Sequence, residues 1–118
     1  MISGGNATIF VSNMDRAVEF YTKTLGLTMT YRAGDHWASI DAGSGLQIGL
    51  HPETPNTNPP GAKGGIQLGL QVTKPIGDVV ATLKSSGVRF RGDIVDEGVK
   101  LAAFNDPDGN ELYLFEVE

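Results

Sequence analysis

The chain contains no cysteine. That absence excludes disulfide frameworks, thiolate zinc sites and a cysteine nucleophile. Long apolar runs are absent too: each apolar stretch is only a few residues long, whereas a membrane-spanning helix needs about 20. Basic residues are also few, since nine lysines and arginines stand against fourteen acidic residues, a formal net charge of -5. We therefore expect neither a membrane nor a nucleic acid as partner, because nucleic-acid binding needs a basic face.

The remaining composition is typical of a small globular protein. The chain has 118 residues, of which 40% are hydrophobic and 19% charged. A chain of this kind can bury one core without metal or disulfide support. Residues 1–5 carry neither the basic region nor the apolar run of a signal peptide. We therefore expect a single cytoplasmic domain.

An internal repeat divides the chain into two similar halves. A shift of 61 positions places Val11 on Val72, Val18 on Val79 and Gly26 on Gly87. Each half is predicted to form a strand, a helix and three further strands, in modules 5–51 and 65–118. Helices are predicted over 14–24 and from Pro75, and the strands that follow them over 27–33, 36–42, 46–51, 88–95, 99–105 and 111–117. Residues 52–64 hold four of the six prolines and are predicted to be a linker.

Several predicted strands have one aliphatic face and one face of polar residues or glycine. This alternation holds in 46–51, 65–72 and 111–115. We expect the helices to cover the aliphatic faces and the opposite faces to line a wet cavity. Gly49, Gly65 and Gly69 are predicted to leave space there. The side chains expected to contact a ligand are Gln47, His51, Gln67, Gln71, Tyr113, Phe115 and, on a neighbouring strand, Trp37.

Two motifs resemble the vicinal oxygen chelate superfamily, which includes glyoxalase I, extradiol dioxygenases and bleomycin-resistance proteins. They are the segment 11–21, which reads VSNMDRAVEFY before Leu25-Gly26-Leu27, and the turn 106–112, which reads DPDGNEL. The resemblance covers nearly the whole chain and implies an α+β fold. Two βαβββ modules would form a curved mixed sheet cup with the helices on its outer face, usually in a homodimer. The motifs are specific for the fold and uninformative about a reaction.

The resemblance also assigns four metal-ligand positions. In this chain they hold Asn6, Gly49, Gln67 and Tyr113, where metal-dependent members typically carry histidine or glutamine on the first strand of each module and glutamate or histidine on the last. Neutral amides, a glycine and a neutral phenol are a poor donor set for a divalent metal. We therefore predict that no metal binds there. His51 and Glu111 are fallback ligands for a divalent metal, although each lies roughly 6–7 Å further along its strand.

Two interpretations stand for each remaining candidate residue. Trp37 either stacks on a ligand or anchors a core or dimer interface. Tyr113 either offers its hydroxyl to a ligand or fills the vacated metal pocket. His51 is either a ligand-binding or acid-base residue or an ordinary strand-end histidine. Alternation does not decide whether Arg32 and His36 face inward or outward.

The leading functional prediction is metal-independent binding of a small organic molecule by a homodimer. The excess of acidic over basic residues is compatible with a cationic ligand. The alternative is a metal-dependent lyase, transferase or dioxygenase of the same superfamily with rearranged ligands. A third possibility is a dimeric module without a small-molecule ligand. The sequence does not identify the ligand, because one fold supports many functions.

Overall fold

The computed structural model describes residues 1, 6–55, 57–62 and 67–117. The chain forms two compact units, Met1–Gly61 and Ala62–Glu118. Each unit contains a four-stranded sheet and runs in the order strand, helix, strand, strand, strand. The predicted α+β fold of two βαβββ modules is therefore confirmed.

In the first unit, a helix connects two strands that lie side by side. The strands are β1 (Ala7–Val11), β2 (Thr28–Ala33), β3 (Trp37–Asp41) and β4 (Gln47–Pro52), in the order β1-β4-β3-β2. Only the β1-β4 pair is parallel. Helix α1 (Met14–Glu19) begins after Asn13, whose side chain accepts the backbone N–H of Arg16 at 2.9 Å. The helix continues as a π-helical segment, Phe20–Thr24.

The second unit repeats this arrangement. Its elements are β5 (Leu68–Gln71), α2 (Ile76–Ser85), β6 (Val95–Asp96), β7 (Val99–Asn105) and β8 (Glu111–Val117). The sheet order is β5-β8-β7-β6, and only the β5-β8 pair is parallel. No helix in the described part of the chain is long and apolar enough to cross a membrane.

The predicted strand over 88–95 is wrong for most of its length. Only Val95 belongs to a strand, and Phe90 makes one isolated bridge to Phe104. Gly92 has a φ of 93°, a left-handed conformation that interrupts an extended path. The chain stays close to β7 nonetheless, because the backbone N–H of Arg91 donates to the carbonyl oxygen of Ala103 at 2.7 Å.

The helices cover the aliphatic faces of the sheets, as predicted. In the first unit α1 packs on β3 and β4, and in the second α2 packs on β7 and β8. The buried side chains of the helices and of these sheet faces include Met14, Ala17, Tyr21, Ile40, Ile48, Leu50, Ile76, Val80, Leu83, Ala102, Phe104, Leu112 and Leu114. The opposite face of each sheet therefore carries the polar residues, the glycines and most of the candidate site.

Candidate functional site

On the polar face of the first unit, Trp37 lies across Gly49. A Cβ atom built on Gly49 would lie 2.5 Å from Cζ2 of Trp37 and closer still to Cη2. The indole is held in place because its Nε1–H donates to Oγ of Ser39 at 2.7 Å. The expectation that Gly49 leaves open space is therefore wrong, since the missing side chain makes room for Trp37.

His51 packs beside that indole. Its ring centroid lies 6.2 Å from that of Trp37 and 5.8 Å from that of Phe10, both with edge-on geometry. Nδ1 of His51 lies 2.7 Å from the carbonyl oxygen of Pro52. A carbonyl oxygen only accepts hydrogen bonds, so Nδ1 carries the proton and Nε2 is the acceptor of the neutral ring. Phe10, Trp37 and His51 form a half-buried aromatic cluster.

The tautomer of His51 is directly measurable. We expect neutral His51 to show Nδ1 protonated and Nε2 unprotonated in long-range ¹H–¹⁵N correlation spectra recorded in alkaline solution. His36 lies exposed in the turn between β2 and β3 and serves as the control with the tautomer mixture of a solvated imidazole. Observation of the Nε2-protonated form as the main species of His51 would contradict the bond to Pro52.

The polar face of the second unit contains a groove with a volume of about 430 Å³. Strand pairing builds it, because Ala103 lies opposite Tyr113 and Val95 lies opposite Leu101. The loop after Phe90 contributes further residues to its wall. The groove is lined by Gln67, Arg91, Asp93, Val95, Glu97, Leu101, Ala103 and Tyr113. Volumes of roughly 300–1,000 Å³ are typical of small-molecule sites.

Tyr113 of the groove covers Gly69 on the neighbouring strand. A Cβ atom built on Gly69 would lie 2.5 Å from both Cζ and the hydroxyl oxygen of Tyr113. The predicted space at Gly69 is thus also filled by an aromatic ring, while Gly65 lies outside the described residues. Phe115 follows along the strand, with its ring centroid 6.1 Å from that of Tyr113. Tyr113 therefore fills the space at Gly69 and lines the groove at the same time.

Glu111 interacts with two polar side chains that line the groove. Its Oε2 accepts a hydrogen bond from Nε2 of Gln67 at 2.9 Å, and its Oε1 lies 3.1 Å from Nη1 of Arg91. The Arg91 and Glu111 side chains are 37% and 28% exposed, so their ion pair contributes little to stability. Its main effect is that the two charges offset each other beside the groove.

Sequence reasoning missed several residues of the groove. No pattern in the sequence identifies Arg91, Asp93, Val95 or Glu97 as groove residues. Arg91, Asp93 and Val95 lie within the strand predicted over 88–95, and Glu97 follows that strand. The one local signal was Gly92, which is a frequent turn residue and interrupts the strand here.

The predicted residues Gln47 and Gln71 do not line the groove. Gln47 is half-buried at the start of β4, and Gln71 is exposed at the end of β5.

Arg32 lies opposite Ala38, on the helix-covered face of its sheet. It donates to the carboxylates of Asp15 at 2.6 Å and Asp35 at 3.2 Å, and the hydrogen bond to Asp15 is the main cause that raises the pKa of Arg32. Arg32 therefore does not line the polar face.

The four metal-ligand positions do not suit a metal. Oδ1 of Asn6 accepts from the hydroxyl of Thr8 at 3.1 Å, and Trp37 covers Gly49. In the second unit, Gln67 binds Glu111 and Tyr113 lies over Gly69. Within the described ranges, no three histidine, aspartate or glutamate side chains come together as metal ligands. Among these residues, neither His51 nor Glu111 belongs to such a group of three.

The sequence of the chain also matches the model of a known protein family. The model of the Glyoxalase/Bleomycin resistance protein/Dioxygenase superfamily matches residues 5–114. The chain belongs to this superfamily. None of the curated proteins matches the chain.

Solved structures of superfamily members share the fold over nearly the whole chain. TnmS3, an antibiotic-binding protein from Streptomyces sp. CB03234, is 26% identical with a TM-score of 0.80, covering 100% of this chain and 98% of its own. A superfamily member from Sphaerobacter thermophilus is 28% identical with a TM-score of 0.78, covering 98% of both chains. A glyoxalase family protein from Enterococcus faecalis is 25% identical with a TM-score of 0.75, covering 94% of both.

Proposed function

We propose that this superfamily member binds a small organic molecule in the groove of its second unit, without a metal. The observation that carries the proposal is the groove itself, with its volume of about 430 Å³. Val95, Leu101 and Ala103 offer apolar contact, and Tyr113 adds an aromatic ring. Polar groups of Gln67 and Arg91 stand beside them. A mainly apolar pocket with a few polar groups is the usual form of a small-molecule site.

Two further observations support binding rather than metal chemistry. The donor set at the metal-ligand positions is neutral or lacks a side chain, and Trp37 and Tyr113 fill space there. TnmS3, whose fold this chain shares, is described as an antibiotic-binding protein. A homodimer and a cytoplasmic location belong to the same proposal and rest on the resemblance and the composition.

Filling the groove is expected to abolish binding. Ala103 is half-buried and lies opposite Tyr113, so in Ala103→Trp the indole would occupy the volume that a ligand needs. We expect fragments that shift the amide resonances of the groove residues in the wild-type protein to lose at least about tenfold in affinity, equivalent to about 1.4 kcal/mol. The measurement is ¹H–¹⁵N NMR titration of the wild type and the variant.

Ala81→Trp is the matched control, because Ala81 is exposed on α2 and does not line the groove. Its affinities should equal those of the wild type, and chelator treatment should leave wild-type binding unchanged. Two results would overturn the proposal: equal affinities for Ala103→Trp and the wild type, or a stoichiometric transition metal that is required for binding and is lost in His51→Ala or Glu111→Gln.

A further inference from the structure

At the groove, acidic side chains outnumber basic ones, and two of the acidic side chains have no partner among the described residues. Arg91 is the one basic side chain among the described lining residues, and it already pairs with Glu111 at 3.1 Å. Asp93 and Glu97 are exposed, and neither side chain forms a hydrogen bond or ion pair with another described residue. With Glu111 included, three carboxylates therefore stand against one guanidinium. These four side chains together carry a net negative charge.

The apolar part of the groove lies beside this negative charge. The loop that carries Asp93 continues into β6, where Val95 lies opposite Leu101 on β7. Ala103 and Tyr113 extend the same surface across β7 and β8. A ligand that lies on these side chains would therefore place one end near the carboxylates of Asp93 and Glu97. An aromatic ring such as that of Tyr113 also attracts cations through its π face.

We infer that the groove selects organic cations, namely molecules with an aromatic or aliphatic body and one protonated amine. This inference rests on the proposed function and names its ligand class. The body contacts Tyr113 and Leu101, and the ammonium group interacts with Asp93 and Glu97. An anionic ligand is disfavoured, because it would have to displace Glu111 from Arg91 and would meet two further carboxylates. Each exposed charge pair contributes a factor of about two to five in affinity.

A matched series of indole compounds tests the inference. Tryptamine, tryptophol and indole-3-acetate share one ring system and carry an ammonium, a hydroxyl and a carboxylate group. In ¹H–¹⁵N NMR titrations of the whole chain, we expect the dissociation constants to increase in that order. Tryptamine should bind roughly tenfold more tightly than tryptophol at low salt, and added salt should reduce the difference through screening.

Removing the two carboxylates should remove most of the preference. In the double variant Asp93→Asn with Glu97→Gln, the preference for tryptamine over tryptophol should fall from roughly tenfold to about twofold or less. Glu19→Gln with Asp78→Asn is the matched control, since it changes the net charge equally at exposed positions that do not line the groove. The control should keep the full preference for tryptamine.

The outcomes separate the two proposals. Equal binding of the three compounds, tighter binding of indole-3-acetate, or an unchanged preference in the double variant would overturn the cation inference and leave ligand binding in the groove intact. If none of the compounds shifts a groove resonance, the cation inference is overturned. The Ala103→Trp comparison with fragments then decides separately whether the proposed function fails as well.

Discussion

Gly49→Ala is expected to lower the free energy of unfolding by about 2 kcal/mol. The new methyl group would lie 2.5 Å from Cζ2 of Trp37 and nearer to Cη2, so the indole must leave its position. The displacement breaks the bond from Nε1 to Ser39 and separates the ring from His51. Urea unfolding monitored by circular dichroism measures the loss, and the fluorescence of Trp37, the one tryptophan of the chain, reports the displacement directly.

The same substitution at Gly77 is the control. Gly77 lies in α2, and a Cβ built there would have no heavy atom within 4 Å. Gly77→Ala should therefore stabilise the protein by about 0.5–1 kcal/mol, since alanine favours a helix more than glycine does. In a Trp37→Ala background, Gly49→Ala should cost nothing further. A stabilising effect of Gly49→Ala in the wild type would show that Trp37 does not cover this position.

The same geometry bears on metal binding. Gly49 occupies one of the superfamily's ligand positions, and a carboxylate installed there by Gly49→Glu would also have to displace the indole. Tyr113 holds another of these positions and lies over Gly69. Restoring a metal site would therefore require repacking of aromatic side chains as well as a change of donor atoms.

The second large effect is expected at Asp106. This residue is 6% exposed, and its carboxylate organises the turn before β8. Its Oδ1 accepts the backbone N–H groups of Asp108 and Asn110 at 2.9 and 2.8 Å, and its Oδ2 accepts from Nδ2 of Asn110 at 2.9 Å. Asp106→Ala leaves these part-buried donors without their acceptor, which should cost about 3 kcal/mol in urea unfolding.

Two variants calibrate that value. Asp106→Asn keeps an oxygen for the two backbone bonds, so it should lose less than half as much stability as Asp106→Ala. Asp96→Ala removes a similar acceptor in an exposed turn, where Oδ1 of Asp96 accepts the backbone N–H of Gly98 at 3.2 Å. It should cost less than about 1 kcal/mol, because water replaces the lost acceptor. Equal losses for Asp96→Ala and Asp106→Ala would show that burial of the carboxylate does not matter.

Much of the fold could be predicted because it depends on local patterns. Helix α1 follows from the spacing of its apolar residues and from the capping side chain of Asn13. Strands β4 and β8 follow from strict alternation, and their aliphatic residues Ile48 and Leu112 are fully buried. The segment 88–95 could not be predicted in this way. Its residues alternate like a strand, but Gly92 turns the chain away from a continuous ladder.

The sequence alone shows that cysteine is absent. It also shows that the superfamily's metal-ligand positions hold few side chains that bind metals. It shows the two-module plan as well, because a repeat and a two-residue periodicity are properties of neighbouring positions. Which side chain fills the space of a glycine depends instead on strand register, which brings Trp37 to Gly49 and Tyr113 to Gly69. The groove likewise exists because a loop packs beside β7 and places Arg91 and Asp93 in the lining that includes Tyr113. Such contacts join residues far apart in the chain, and only tertiary packing selects among them.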